Sequence, residues 1–141
     1  MVHNQVLFDK IVIKIDSGVT EMIHGIGIDM IELHRVKAIQ QKNPKFANKV
    51  LTVNEYKIFE TLSEKRQVEF LAGRFSVKEA YSKALGTGIG SRVSFEDLEI
   101  LNQPNGAPYF AKYPQQDTLF AHVSLSHTAN AAISEVILEK K

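Results

Sequence analysis

Two carboxylates, Asp29 and Glu79, stand where a carboxylate is costly. Asp29 follows the apolar run Met-Ile-His-Gly-Ile-Gly-Ile of residues 22–28. Glu79 lies four residues after Phe75 and continues a helical stripe of Val68, Leu71, Ala72 and Phe75. A charge on a buried stripe needs a cation beside it. With no cysteine in the chain, any metal must take oxygen or imidazole ligands. A hard cation such as Mg²⁺ is commonly held by one or two carboxylates, with waters and substrate phosphates filling the remaining positions. The same two residues could form an acid–base pair, or serve unrelated structural ends. Spacing alone leaves all three readings open.

Groups that could meet a phosphate lie close by. Lys78 and Lys83 flank Glu79, and Arg74 precedes it. Lys83 is also the i+4 neighbour of Glu79, so a plain intrahelical ion pair competes with that role. Gly86-Thr87-Gly88-Ile89-Gly90 offers backbone N–H groups to an anion. It lacks the Walker spacing and follows a helix where a phosphate loop leads into one, so a helix C-cap fits it better. Ser124-x-Ser126-His127 places two hydroxyls and an imidazole at a strand end. A Ser–His hydrolase is a competing reading, without the Gly-x-Ser-x-Gly elbow.

These residues need elements to position them. From Ser63, a helix N-cap, to the stop at Gly86 and Gly88 there is no proline, and Ala, Leu, Lys, Glu and Arg dominate. One long central helix is expected there, apolar nearly all round and therefore internal. Residues 22–28 read as a short buried strand whose Gly25 and Gly27 imply close approach by another backbone or a ligand. Ile31 to Ile39 has helical spacing, and Asp29-x-x-Glu32 fits a capping box, a structural alternative for Asp29. Asn43-Pro44 breaks that helix, and residues 46–51 make a short helical turn. Thr52-x-x-Glu55 is a second capping box, opening a helix to about Thr61. After Gly90 the period changes. Strands are expected around Leu98–Ile100, from Pro108, over 122–127 and over 131–138, with a turn at Pro104-Asn105-Gly106. Val123 and Leu125 fall on one face of their strand, and His122, Ser124 and Ser126 on the other. Helices first and antiparallel hairpins later define an α+β fold, helices packed on an antiparallel sheet.

The chain of 141 residues suits one core. Residues 1–21 read as a leader or expression-derived extension, with a strand-like alternation at Lys10–Asp16 and a break at Ser17-Gly18, leaving 22–141 as the domain. No apolar run approaches a membrane span, and the first 21 residues are not a signal peptide, so a cytoplasmic location is expected. A net charge of +1 argues against a nucleic-acid binder. Between Arg35 and Lys49, however, five Lys or Arg occur with no Asp or Glu. That stretch is either a solvated helix face or a patch that steers an acidic partner.

Three blocks resemble the holo-acyl-carrier-protein synthase family, the bacterial phosphopantetheinyl transferases of fatty-acid synthesis. They are Gly25-Ile26-Gly27-Ile28-Asp29 followed by Arg35; Arg74-Phe75-Ser76-Val77-Lys78-Glu79-Ala80 through Lys83-Ala84-Leu85-Gly86-Thr87-Gly88; and Asn105-Gly106-Ala107-Pro108 followed by Val123-Ser124-Leu125-Ser126-His127. Their order and spacing cover essentially all of the chain from Met22. The resemblance implies transfer of the 4′-phosphopantetheine arm of coenzyme A to a serine of apo-acyl carrier protein, with release of adenosine 3′,5′-bisphosphate. It implies Mg²⁺, or Mn²⁺, on Asp29 and Glu79. Lys83 becomes a catalytic phosphate contact, and Arg74, Lys78, Gly86, Ser124, Ser126 and His127 become coenzyme A contacts. A water held by Asp29 or Glu79 is favoured over His127 as the acceptor of the serine proton. Arg35 falls at the family's carrier-docking arginine, with Lys42 and Lys45 extending the surface. The family's homotrimer, with sites at subunit interfaces, is implied as well.

Overall fold

The computed structural model describes residues 2–7, 10–15 and 22–141. Strands β1 (Val2–Leu7) and β2 (Lys10–Ile15) pair antiparallel in a sheet of their own. The alternation expected at Lys10 is thus a strand. The rest of the expected extension, residues 1, 8, 9 and 16–21, lies outside the described residues.

The chain continues with β3 (Ile23–Glu32), followed by α1 (Leu33–Lys42), α2 (Phe46–Val50), α3 (Val53–Phe59) and α4 (Glu64–Leu85). A single 3-10 turn (Phe95–Asp97) then leads into β4 (Glu99–Asn102), β5 (Pro108–Lys112), β6 (Leu119–His127) and β7 (Ala131–Lys140). Strands β3, β7 and β6 form an antiparallel sheet in that order, and β4 pairs with β5. This is the expected α+β architecture, with α4 as its axis.

Helix α4 runs between the residues its sequence marks. Ser63 is the N-cap, and Gly86 closes the helix in the left-handed region at φ 88°, where a side chain would be strained. The helix lies across the inner face of the sheet. Val77, Ala80, Tyr81 and Ala84 pack with Val136 and Leu138 there, and with Leu98 and Ile100 on its other flank. A second cluster joins Leu71 and Ala72 to Val36, Val50 and Phe59 of the small helices. Fully burying a Leu, Ile or Val side chain contributes about 1.5–3 kcal/mol, so these two clusters fix α4 from both sides.

Two local expectations need correction. The chain stays extended through Glu32, because β3 continues its pairing with β7 to the register Ile31↔Ala132 and Glu32↔Ala131. Helix α1 therefore starts at Leu33, with Glu32 as an N-cap that makes no side-chain bond. Asp29 lies inside the strand, and the Asp29–Glu32 capping box does not form. The Thr52–Glu55 box does form, with both reciprocal bonds.

Candidate active site

The site is built where β3 crosses α4. A Cβ on Gly27 would lie 1.8 Å from the Ala80 carbonyl oxygen, and one on Gly25 would lie 1.9 Å from that of Ala84. Both distances are impossible, so only glycine lets the strand lie against the helix backbone. That contact brings Asp29, two residues beyond Gly27, to the side chains of Glu79 and Lys83.

Asp29 is nearly buried, with 13% of its side chain exposed. Its Oδ1 accepts a hydrogen bond from Lys83 Nζ at 3.0 Å, and Lys83 also donates to the Ile28 carbonyl at 3.1 Å. Its Oδ2 is buried with no hydrogen-bond partner among the described residues. Glu79 is half-buried, and desolvation raises its pKa above the ordinary carboxylate value. The Asp29 charge raises it further, and Lys83 partly offsets both. Lys83 is thus paired with Asp29, and no Glu79–Lys83 ion pair forms among the described residues.

An orphaned buried carboxylate oxygen beside a second carboxylate that resists ionisation fits a divalent cation. No cluster of three or more His, Cys, Asp or Glu exists among the described residues. Two carboxylates with the other positions open is the donor set of a Mg²⁺ that keeps waters and substrate phosphates. Zinc, which favours nitrogen and sulfur ligands, suits it poorly.

The remaining predicted contacts divide between places. Arg74 is almost buried. Its Nε donates to the Ile100 carbonyl at 3.1 Å and its Nη2 to Asn102 Oδ1 at 2.7 Å, and its guanidinium lies 4.2 Å from the Phe70 ring centroid. Desolvation lowers its pKa and Glu55 counters this. With His127, Arg74 lines a cleft of about 400 Å³ whose walls include Phe70, Asn102 and Pro108. Ser124 and Ser126 lie on the other face of β6, beside Ile28 and Ile133. Neighbouring residues of a strand point to opposite faces, so Ser126 and His127 cannot form a nucleophile–base pair. The hydrolase reading fails on that geometry. Gly86 is exposed beyond the end of α4.

Lys78 is corrected. It is fully buried and its ammonium makes three bonds inside the fold: to Glu55 Oε1 at 2.6 Å, the Val50 carbonyl at 2.7 Å and the Phe95 carbonyl at 3.1 Å. All three of its protons are engaged, so it has none left for coenzyme A. Burial lowers its pKa, against the opposing pull of Glu55. Glu55, read from sequence only as a capping residue, also accepts the Ile100 backbone N–H through Oε2. It joins α3, α4 and β4 at one point. The basic residues Arg35 and Lys42 of α1, and Lys45 before α2, are all exposed.

The profile of the 4′-phosphopantetheinyl transferase superfamily matches residues 25–136, which include this whole arrangement. The holo-[acyl-carrier-protein] synthase of Anoxybacillus flavithermus is 54% identical over 119 residues, covering 84% of this chain and 98% of that protein. The synthase of Enterococcus faecalis is 52% identical over 120 residues, 85% of this chain and 100% of that one. Among solved structures, the Bacillus anthracis synthase in complex with CoA (3′,5′-ADP) superposes with a TM-score of 0.79 at 44% identity, covering 85% of this chain and 99% of that one. The Neisseria meningitidis synthase gives 0.77 at 34% identity, covering 84% and 100%. The family match and the fold define a phosphopantetheinyl transferase. Within that superfamily, the chain belongs to the holo-[acyl-carrier-protein] synthase family.

Proposed function

We propose that the protein moves the 4′-phosphopantetheine group of coenzyme A to a serine of an apo-acyl carrier protein, releasing adenosine 3′,5′-bisphosphate. The reaction uses Mg²⁺, with Mn²⁺ as a substitute, and serves fatty-acid synthesis in the cytoplasm. The observation that carries this reading is the pairing of Asp29, with its orphaned Oδ2, and Glu79 at the glycine crossing. A divalent cation held by these two carboxylates would neutralise the pyrophosphate charge that builds up as the leaving phosphate departs.

The residues of the chain do the rest. The carrier serine Oγ forms a bond to the β-phosphorus of coenzyme A, and the bond from that phosphorus to the bridging oxygen breaks. Lys83 is half-exposed and held only by Asp29 and one carbonyl, so it can turn to the leaving phosphate. Asp29 and Glu79 orient a water that accepts the serine proton. Arg74 and His127, together in the 400 Å³ cleft, suit the far end of the nucleotide. Gly86 passes close to that nucleotide.

The exposed row of Arg35, Lys42 and Lys45 suits an acidic helical carrier protein. A homotrimer is supported by the outer sheet face, where Ile26 is 60% exposed, Ile28 58% and Met30 67%. Such a patch marks an interface. Ser124 and Ser126 share that face, which suits a coenzyme A site completed by a second chain. Mass spectrometry of apo-carrier protein incubated with the enzyme, coenzyme A and Mg²⁺ tests the reaction. The expected product carries one phosphopantetheine on one serine; an unchanged carrier mass refutes the proposal.

A further inference from the structure

A buried hydroxyl pair lies behind the carboxylate site. Ser76 of α4 is fully buried, and Ser134 of β7 is 2% exposed. Their Oγ atoms are 2.7 Å apart, and Ser76 Oγ donates to the Asp29 backbone carbonyl at 3.1 Å. A serine has one hydroxyl proton. With that of Ser76 given to Asp29, the bond between the two serines must run from Ser134 to Ser76. Asp29 and Ser134 are also register partners across β3 and β7. One side chain of α4 is therefore tied to both strands at the position of Asp29.

We propose that Ser76 and Ser134 are positioning residues that set where Asp29 lies along α4, and so the separation of the Asp29 and Glu79 carboxylates. The inference rests on the metal reading above. Glycines 25 and 27 let the strand meet the Ala80 and Ala84 carbonyls of the helix, and apolar packing of α4 on Val136 and Leu138 holds sheet and helix together, but neither contact supplies a directional bond at Asp29. Directional bonds oppose sliding. Ser76 precedes Glu79 by three residues, about 4.5 Å along the axis, so the bonded point and the second carboxylate belong to adjacent turns. Alanine would fill either serine position with less desolvation cost, as Ala72, Ala80 and Ala84 do on α4 and Ala132 does on β7. The hydroxyls earn their place through the bond to Asp29. A Mg²⁺ site tolerates little displacement of its ligands; losing a partner of the ligating group itself typically weakens metal binding 10–100-fold, and a bond to the backbone of the ligating residue belongs at the low end of that range.

The test is Mn²⁺ binding followed by electron paramagnetic resonance, with coenzyme A present, for wild type, S76A, S134A, S76A/S134A and D29N. Urea unfolding is measured on the same samples. S76A should bind Mn²⁺ about tenfold more weakly and lose stability, because it leaves the Ser134 hydroxyl unmatched. The double variant should regain stability, since both hydroxyls are gone, yet keep the weakened affinity. S134A, which cuts only the lateral bond, should fall between wild type and S76A. Affinity that recovers together with stability in the double variant, or that is unchanged throughout, overturns the inference. If D29N binds Mn²⁺ as wild type does, the metal reading itself fails and takes the inference with it.

Discussion

Lys83 Nζ lies 3.0 Å from Asp29 Oδ1, while Oδ2 of the same carboxylate is buried without a partner. The two oxygens are thus in different circumstances. Lys83 is 52% exposed, and an ion pair of that kind is worth at most about 1 kcal/mol. The pair is weak enough for a phosphate to take Lys83 away. Oδ2 has no such alternative among the described residues, and it is the oxygen a divalent cation would relieve.

Glu79→Gln should abolish transfer and leave the fold intact. It removes the charge proposed to hold the metal at nearly constant shape, and loss of several kcal/mol of charge stabilisation corresponds to a rate drop on the order of a hundredfold or more. Steady-state kinetics with a circular-dichroism melt checks both parts. Turnover like wild type would remove Glu79 from the metal site.

The raised pKa of Glu79 would give the proposed metal binding a pH dependence. Burial and the Asp29 charge favour its protonated form. A metal ligand must be ionised, so binding at Glu79 would release a proton. Affinity should therefore rise with pH through the range above the ordinary glutamate value, and flatten once Glu79 is ionised. Calorimetric titration in buffers of different ionisation enthalpy would show the released proton, and Glu79→Gln should remove it.

Lys78→Met should act on stability and spare coenzyme A recognition. It leaves the Glu55 carboxylate buried without its cation, a loss of about 3–5 kcal/mol for a broken buried pair. Urea unfolding reads that loss. The KM for coenzyme A, measured below the melting range, should be near that of wild type. A stable variant with a greatly raised KM would restore Lys78 as a ligand contact.

Arg35→Glu should raise the KM for carrier protein and leave coenzyme A binding unchanged. Salt should weaken the wild-type enzyme's interaction with carrier more than the variant's, because rim charges act through screened, long-range attraction. An effect confined to coenzyme A affinity would move the docking surface elsewhere.

Much of this arrangement is legible in the sequence because its signals are local. Ser63 and Gly86 bracket α4 at the residues where it begins and ends. Gly25 and Gly27 announce a close approach, and the approach is to the backbone of that helix. The misreadings are non-local. Asp29-x-x-Glu32 has the pattern of a cap, but pairing with residues 131–134 keeps the chain extended through it. Lys78 is adjacent to Glu79, yet its destination depends on α3 lying across that side of α4, which helical periodicity does not encode. The alternation of β6 correctly separates Ser124 and Ser126 from Val123 and Leu125. Applied one residue further, it would have separated His127 from the two serines as well.

On this reading Asp29 and Glu79 share a divalent cation that the reaction requires. The most direct measurement is the rate of phosphopantetheine transfer after exhaustive chelation with EDTA, followed by addition of Mg²⁺ or Mn²⁺. Activity should vanish in chelator and return with either metal in wild type, and should not return in Asp29→Ala. Full activity in chelator, or metal rescue of Asp29→Ala to the wild-type rate, would contradict the account.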